Sequence, residues 1–125
     1  IMNSLKKDLN KQKIIAIILA KGTSTGLKNK NIRPINNKPL IFWPINAAKK
    51  SKYINQVVVS TESVKIKKVA QRYGASVPFM RPKNLAKSNS SSIDGVIHCL
   101  NHFKKNKIEF DYVVLLEPTS PLTSH

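Results

Sequence analysis

At 125 residues the chain has room for one compact domain, and 41% hydrophobic with 22% charged residues supply one core while excluding wholesale disorder or a coiled coil. The 22 Lys+Arg against 6 Asp+Glu, a formal +16, raise nucleic acid as a partner. The excess is nearly all lysine, spread without interleaved aromatics among abundant Asn and Ile, a set that A/T-rich codons favour, and this weighs against nucleic acid. No apolar run approaches the ~20 residues of a bilayer-spanning helix, so no membrane association is expected. Cys99, the sole cysteine, excludes an intramolecular disulfide and a multi-cysteine zinc site, and points to a reducing cytoplasm.

Residues 1–13, IMNSLKKDLNKQK, read as a polar basic arm ahead of a single domain over 14–125. With the apolar run that follows, the arm imitates a secretory signal, but the run is short, β-branched and lacks the small residue two places before a cleavage point. Ile14 to Ala20 is a continuous apolar run of strand length, bounded by Lys13 and a Gly/Ser/Thr cluster, and fits a strand covered on both faces. Lys21 to Lys38 reads as a polar loop. Leu40, Ile41, Trp43, Ile45, Ala47 and Ala48 then feed a helix to about Ser51, with Trp43 assigned to the core and Pro44 tolerable only in the first turn or at a kink. Gln56 to Ser60, with its valine run, is a second buried strand.

Ser63 can cap a helix in which Ile66, Val69, Ala70 and Tyr73 recur at helical spacing and Lys65, Lys67, Lys68 and Arg72 face water, with Gly74 ending it. Ala75 to Met80 is a third short strand, interrupted by Pro78. Ser91 and Asp94 resemble a capping box opening a helix that carries Ile93, Val96, Ile97, Leu100 and Phe103 on one face. Lys104, Lys105 and Lys107 complement its C-terminal dipole, and Phe110 to Leu116 is the last strand. This alternation predicts the α/β class, with right-handed crossovers and a doubly wound, mainly parallel sheet. Ligands in such sheets bind outside the strands' carboxyl ends, which selects the segments 21–31, 61–62, 81–92 and 117–121.

The segment after the first strand, Ala-Lys-Gly-Thr-Ser-Thr-Gly over 20–26, lets Gly22 and Gly26 turn successive N–H groups toward one anion, with Lys21, Lys28 and Lys30 adding charge. The spacing is neither that of a P-loop nor that of the three-glycine dinucleotide fingerprint, and by itself leaves a phosphate cradle and an ordinary turn both open. His98 has no ligand-spaced partner and reads as a packed residue, Cys99 as inert packing, and Asp94 as a helix-start partner of Ser91 rather than a metal ligand.

The strings IIAIILAKGTSTGLKNKNIR, KPLIFWPINAAKKSK, VVVSTES, RYGASVPFMRPKNLA, SSSIDGVIHCL and YVVLLEPTSPLT, spanning 14–123, resemble the acylneuraminate cytidylyltransferases, or CMP-sialic acid synthetases, and their legionaminic and pseudaminic acid relatives. The resemblance implies the N-terminal half of an enzyme with a nucleotide-diphospho-sugar transferase-like, Rossmann-like fold, transferring CMP from CTP to the anomeric hydroxyl of a nonulosonic acid and releasing pyrophosphate. It implies Mg²⁺ bound by residues beyond 125, a homodimeric full-length enzyme, and a 125-residue chain inactive alone. The family's Ala-Arg-Gly-Gly-Ser-Lys-Gly signature falls on 20–26, with Lys21 for Arg, Thr23 for a smaller residue and Thr25 for Lys. By resemblance Lys21 and Lys30 hold phosphates as the catalytic pair, and Ala20, Gly22, Ser24, Gly26, Asn31, Arg81, Ser91 and Ser92 hold the nucleotide. Glu117, Thr119 and Ser120 lie against the acid sugar. The lysine at 21 lacks the planar fork of arginine, which weakens a bidentate phosphate contact. Two rival readings are a cytidylyltransferase for the eight-carbon acid sugar of lipopolysaccharide and a non-enzymatic basic nucleic-acid-binding module.

Overall fold

The computed structural model describes residues 12–21, 23–24, 27–28, 34–35, 37–82 and 92–117, with 23–24, 27–28 and 34–35 as backbone alone. Strand β1 (Ile14–Leu19) is the centre of a three-stranded sheet, paired in parallel with β6 (Gln56–Ser60) on one side and β7 (Tyr112–Leu116) on the other. Ile17 sits level with Val58 in one neighbour and Leu115 in the other. The period-two alternation of a strand sends Ile18 and Ala20 to one face and Ile15 and Ile17 to the opposite one, and both faces are dry. That is why β1 reads as an unbroken apolar run.

On the first face lie helices α1 (Phe42–Lys50) and α2 (Val64–Arg72), which bring Ile41, Ile45, Ile66 and Ala70 against Ile18 and Val59. Helix α3 (Ser92–Lys105) covers the second with Cys99 and Phe103 against Ile15, Ile17 and Val58. The molecule is thus an α/β sheet wound with helices on both faces. Each fully buried Ile or Val contributes roughly 1.5–3 kcal/mol, so β1 is the densest source of stability.

Local rules place the helix ends. Pro44 is the third residue of α1, where its missing N–H would have no intrahelical acceptor anyway. Ser63 caps α2, its Oγ accepting from the Ile66 N–H at 3.2 Å, and Gly74 ends that helix with a φ of +95° that a side chain would resist. Asp94 lies in the first turn of α3, while its expected capping partner Ser91 is outside the described residues.

Five expectations are corrected. The 21–38 segment is not all loop: β2 (Thr23–Ser24) pairs antiparallel with β3 (Leu27–Lys28), and β4 (Pro34–Ile35) with β5 (Lys38–Pro39), the latter pair turned with the help of Asn37 at a φ of 68°. Residues 75–80 form no strand but one parallel bridge, Val58 to Ser76, in which Ser76 N–H donates to Val57 O at 2.9 Å and Val59 N–H to Ser76 O at 3.0 Å. The next rung needs an N–H at residue 78, and Pro78 has none. On α3 the buried stripe is Gly95, Cys99 and Phe103, flanked by Val96 and Leu100, while Ile93 and Ile97 are exposed. Trp43 is half-buried rather than core, edge-on to Phe42 with ring centroids 5.0 Å apart, and its buried Nε1 has no hydrogen-bond partner among the described residues. The last strand begins at Tyr112, two residues later than expected, because Asp111 is tied to Lys13: its N–H donates to Lys13 O at 2.7 Å and its Oδ2 accepts from Lys13 N–H at 2.8 Å.

Candidate functional site

The carboxyl ends of β1, β6 and β7 lie side by side, as their parallel registers require, and bring Ala20 and Lys21, Ser60 to Glu62, and Glu117 to one edge of the sheet. Ala20 is buried and its N–H donates to Ser60 O at 3.0 Å, which holds the start of the 21–26 segment against β6. The buried Thr61 accepts at Oγ1 from the Ser63 N–H at 3.1 Å, fixing the entry to α2. Its carbonyl accepts from Arg81 N–H at 2.8 Å and so brings residue 81 to the same edge.

Arg81 is the chemically unusual residue here. Its side chain is only 2% exposed, with Nη2 3.9 Å from Glu62 Oε2, too long for a hydrogen bond but an ion pair in a poorly solvated place. Nε and Nη2 are buried without a hydrogen-bond partner among the described residues. Burial pulls the guanidinium below its ordinary pKa and the Glu62 carboxylate pulls it back up; it stays cationic, since arginine does not deprotonate in proteins. The guanidinium abuts the first turns of α3: a Cβ on Gly95 would lie 3.2 Å from Arg81 Nη1 and 3.0 Å from Leu19 Cδ2. A buried cation with two unanswered donors at the carboxyl edge of a parallel sheet suits a ligand with acceptors held in a plane.

The remaining expected residues divide by position. Ser92 is the exposed first residue of α3, and Glu117 is exposed just after β7. Lys21 is half-buried at the end of β1, and Ser24 lies in β2 as backbone. Gly22, Gly26, Lys30, Asn31, Ser91, Thr119 and Ser120 lie outside the described residues. Sequence reasoning singled out the Thr61-Glu62 segment by its place after a strand but gave Glu62 no role, and gave none to Gly95. Their spacing from Arg81, 19 and 14 positions, carries no signal that the three meet.

His98 lies in the middle of α3, edge-on to Phe79 with ring centroids 4.8 Å apart. Burial lowers its pKa, with the positive charges of His102, Arg81 and Lys105 adding to the effect. It borders a cavity of about 490 Å³ with Asn101, His102, Lys104 and Lys105, toward the C-terminal half of α3 and away from the strand ends. Cys99 is buried and its thiol is pushed up to about 12, which agrees with inert packing. The Mg²⁺ that the resemblance implies finds no fitting donor set here: among the described residues no three His, Cys, Asp or Glu side chains come together. No helix among the described residues is long and apolar enough to cross a membrane.

A sequence profile of the family described as Cytidylyltransferase matches residues 15–125. The chain belongs to this family. It is 45% identical over 109 residues to the CMP-N,N'-diacetyllegionaminic acid synthase of Legionella pneumophila, a match covering 87% of this chain and 47% of that protein. It is 38% identical over 109 residues to an N-acylneuraminate cytidylyltransferase of Escherichia coli O18:K1:H7, covering 87% of this chain and 25% of that one. A solved CMP:2-keto-3-deoxy-manno-octonic acid synthetase complexed with CTP superposes with a TM-score of 0.70 over 87% of this chain and 41% of its own, and at 22% identity this likeness bears on the fold alone. The chain spans less than half the length of each of these proteins. The family match and the doubly wound sheet agree with what the strand-helix alternation and the motif strings led one to expect.

Proposed function

We propose that this chain forms the nucleotide-binding part of a cytidylyltransferase that transfers CMP from CTP to the anomeric hydroxyl of a nonulosonic acid of sialic, legionaminic or pseudaminic type. The observation that carries the reading is the coincidence of the 45% identity to an enzyme named for legionaminic acid with a buried, donor-rich Arg81 at the carboxyl edge of the sheet. In the reaction the sugar hydroxyl oxygen attacks the α-phosphorus in line. A phosphorus–oxygen bond to the sugar forms as the hydroxyl gives up its proton to water, the bond to the bridging oxygen breaks, and pyrophosphate leaves. Lys21 and Lys30 take the phosphates, and Asn31, Arg81, Ser91 and Ser92 take the cytidine. Glu117, Thr119 and Ser120 face the acid sugar, Glu117 as an acceptor for its hydroxyls, since a carboxylate beside the sugar's own carboxylate is unfavourable. Magnesium, a homodimer of the extended enzyme and a reducing cytoplasm belong to the same reading.

Two measurements test it. CTP should protect the chain against thermal unfolding more than ATP or GTP does, whereas equal protection by all three would leave only a generic phosphate site. Pyrophosphate release with CTP, Mg²⁺ and a panel of nine- and eight-carbon acid sugars should appear when the chain is extended with the remaining half of a relative, with the nine-carbon sugars preferred. Turnover by the 125-residue chain alone would remove the need for that half, and turnover only with the eight-carbon sugar would replace the proposed substrate.

A further inference from the structure

Arg81 reaches the strand ends through the Thr61 carbonyl, yet a backbone hydrogen bond fixes only where the residue sits. Two other groups lie close to its guanidinium. On one side is the Glu62 carboxylate, 3.9 Å from Nη2, close enough to orient the cation and too far to consume a donor. On the other is Gly95, where even a methyl group would approach Nη1 to 3.2 Å and Leu19 to 3.0 Å. Beside them, the guanidinium keeps Nε and Nη2, which share one edge of the plane, without a partner among the described residues. Two donors on neighbouring atoms of a rigid plane match two acceptors on neighbouring atoms, such as the carbonyl oxygen and unprotonated ring nitrogen of a cytosine-type base. An adenine edge, with a donor amine beside its ring nitrogen, offers one acceptor and one clash of donors.

We infer that Glu62 is a positioning residue for Arg81 and that Gly95 supplies the clearance for the same pose, so that both set the affinity and base preference of the nucleotide site without touching the nucleotide. The inference rests on the cytidylyltransferase reading for its ligand, but the coupling of Glu62 to Arg81 is a property of the free chain. Removing the carboxylate takes from the poorly solvated guanidinium the one carboxylate that acts on it among the described residues, and it reorients. A methyl at 95 displaces it from the other side.

The arginine Nε–H resonances of the ¹⁵N-labelled chain separate the two levels, because there are only three arginines, Arg33, Arg72 and Arg81. Arg72 is exposed on α2 and serves as the internal reference. The Arg81 Nε–H should exchange with water far more slowly than that of Arg72, lose this protection in Glu62→Gln, and recover part of it in Glu62→Asp. Adding CTP should shift the Arg81 signal and leave that of Arg72 in place. The dissociation constant for CTP should rise about tenfold in Glu62→Gln and in Gly95→Ala, the loss of one charge-assisted contact, with ATP binding unchanged. An Arg81 signal unaltered in a folded Glu62→Gln overturns the positioning role whatever CTP does. An Arg81 signal that follows Glu62 but ignores CTP overturns the nucleotide reading instead. If Glu62→Gln does not fold, Glu62→Asp carries the comparison: weakened CTP binding with partial loss of Arg81 protection supports the inference, and unchanged values for both overturn it.

Discussion

Strands β6 and β7 are near twins in composition and opposites in setting. Both are five residues long with a valine-rich centre, Gln-Val-Val-Val-Ser and Tyr-Val-Val-Leu-Leu, and both pair in parallel with β1. Val58, Val59 and Ser60 of β6 are fully buried, whereas Tyr112 and Leu115 of β7 are 55% and 41% exposed. The difference comes from the neighbours. β6 has β1 on one side, the Ser76 bridge on the other, and α1, α2 and α3 over its faces. β7 has β1 alone among the described residues, and only Leu116 reaches the core under α1 and α2. An apolar strand therefore earns its stability from the layers around it, not from its own sequence.

A lysine at the third position of each strand breaks the comparison most sharply. Val58→Lys buries an unpaired charge beneath α3 and should abolish cooperative folding by circular dichroism, whereas Val114→Lys at the open strand should leave the melting temperature within a few degrees of the parent. Among the described residues the outer edge of β7 has no paired strand and carries exposed valine and leucine, so the parent chain should associate with rising concentration in analytical ultracentrifugation. Val114→Lys should reduce that association.

Cys99 reports whether the α3 layer is closed despite the exposure of β7. Because burial pushes its thiol from 9.0 to about 12, the thiolate population at pH 8 is about a thousandfold below that of an ordinary cysteine, and Ellman's reagent should leave the folded chain unlabelled until urea unfolds it. Between the ordinary thiol range and about 12 the unfolded chain releases a proton that the folded chain keeps, so this group's contribution to stability falls as pH rises through that window. The pH slope of urea unfolding in Cys99→Ala should be shallower there.

Smaller effects follow from truncation. Ile17→Ala opens a cavity between β1 and α3 and should cost about 2–5 kcal/mol in urea unfolding, against under about 1 kcal/mol for Leu115→Ala at the paired position in β7. Removing the α2 cap by Ser63→Ala should cost about 1 kcal/mol, independent of either strand.

The elements whose signals are local were legible in the sequence. The β1 run, β6 over 56–60, the Ser63 cap and the Gly74 stop each follow from the chemistry of a few adjacent residues, and the motif strings were sufficient to identify the family. Pro44 belongs with them, since its tolerance in a first turn depends only on where the helix begins. What local signals could not settle was decided by the tertiary structure. Residues 75–80 have strand composition, but a parallel rung at residue 78 needs an N–H that Pro78 lacks, and this matters only once Ser76 is seen beside β6. The apolar residues of α3 allow more than one buried stripe, and the close approach at Gly95 turned Cys99 and Phe103 inward and left Ile93 and Ile97 in water. The meeting of Glu62, Arg81 and Gly95 arises because parallel registers and a loop's return bring the ends of β6 and the start of α3 to one edge, a three-dimensional coincidence that no spacing along the chain records.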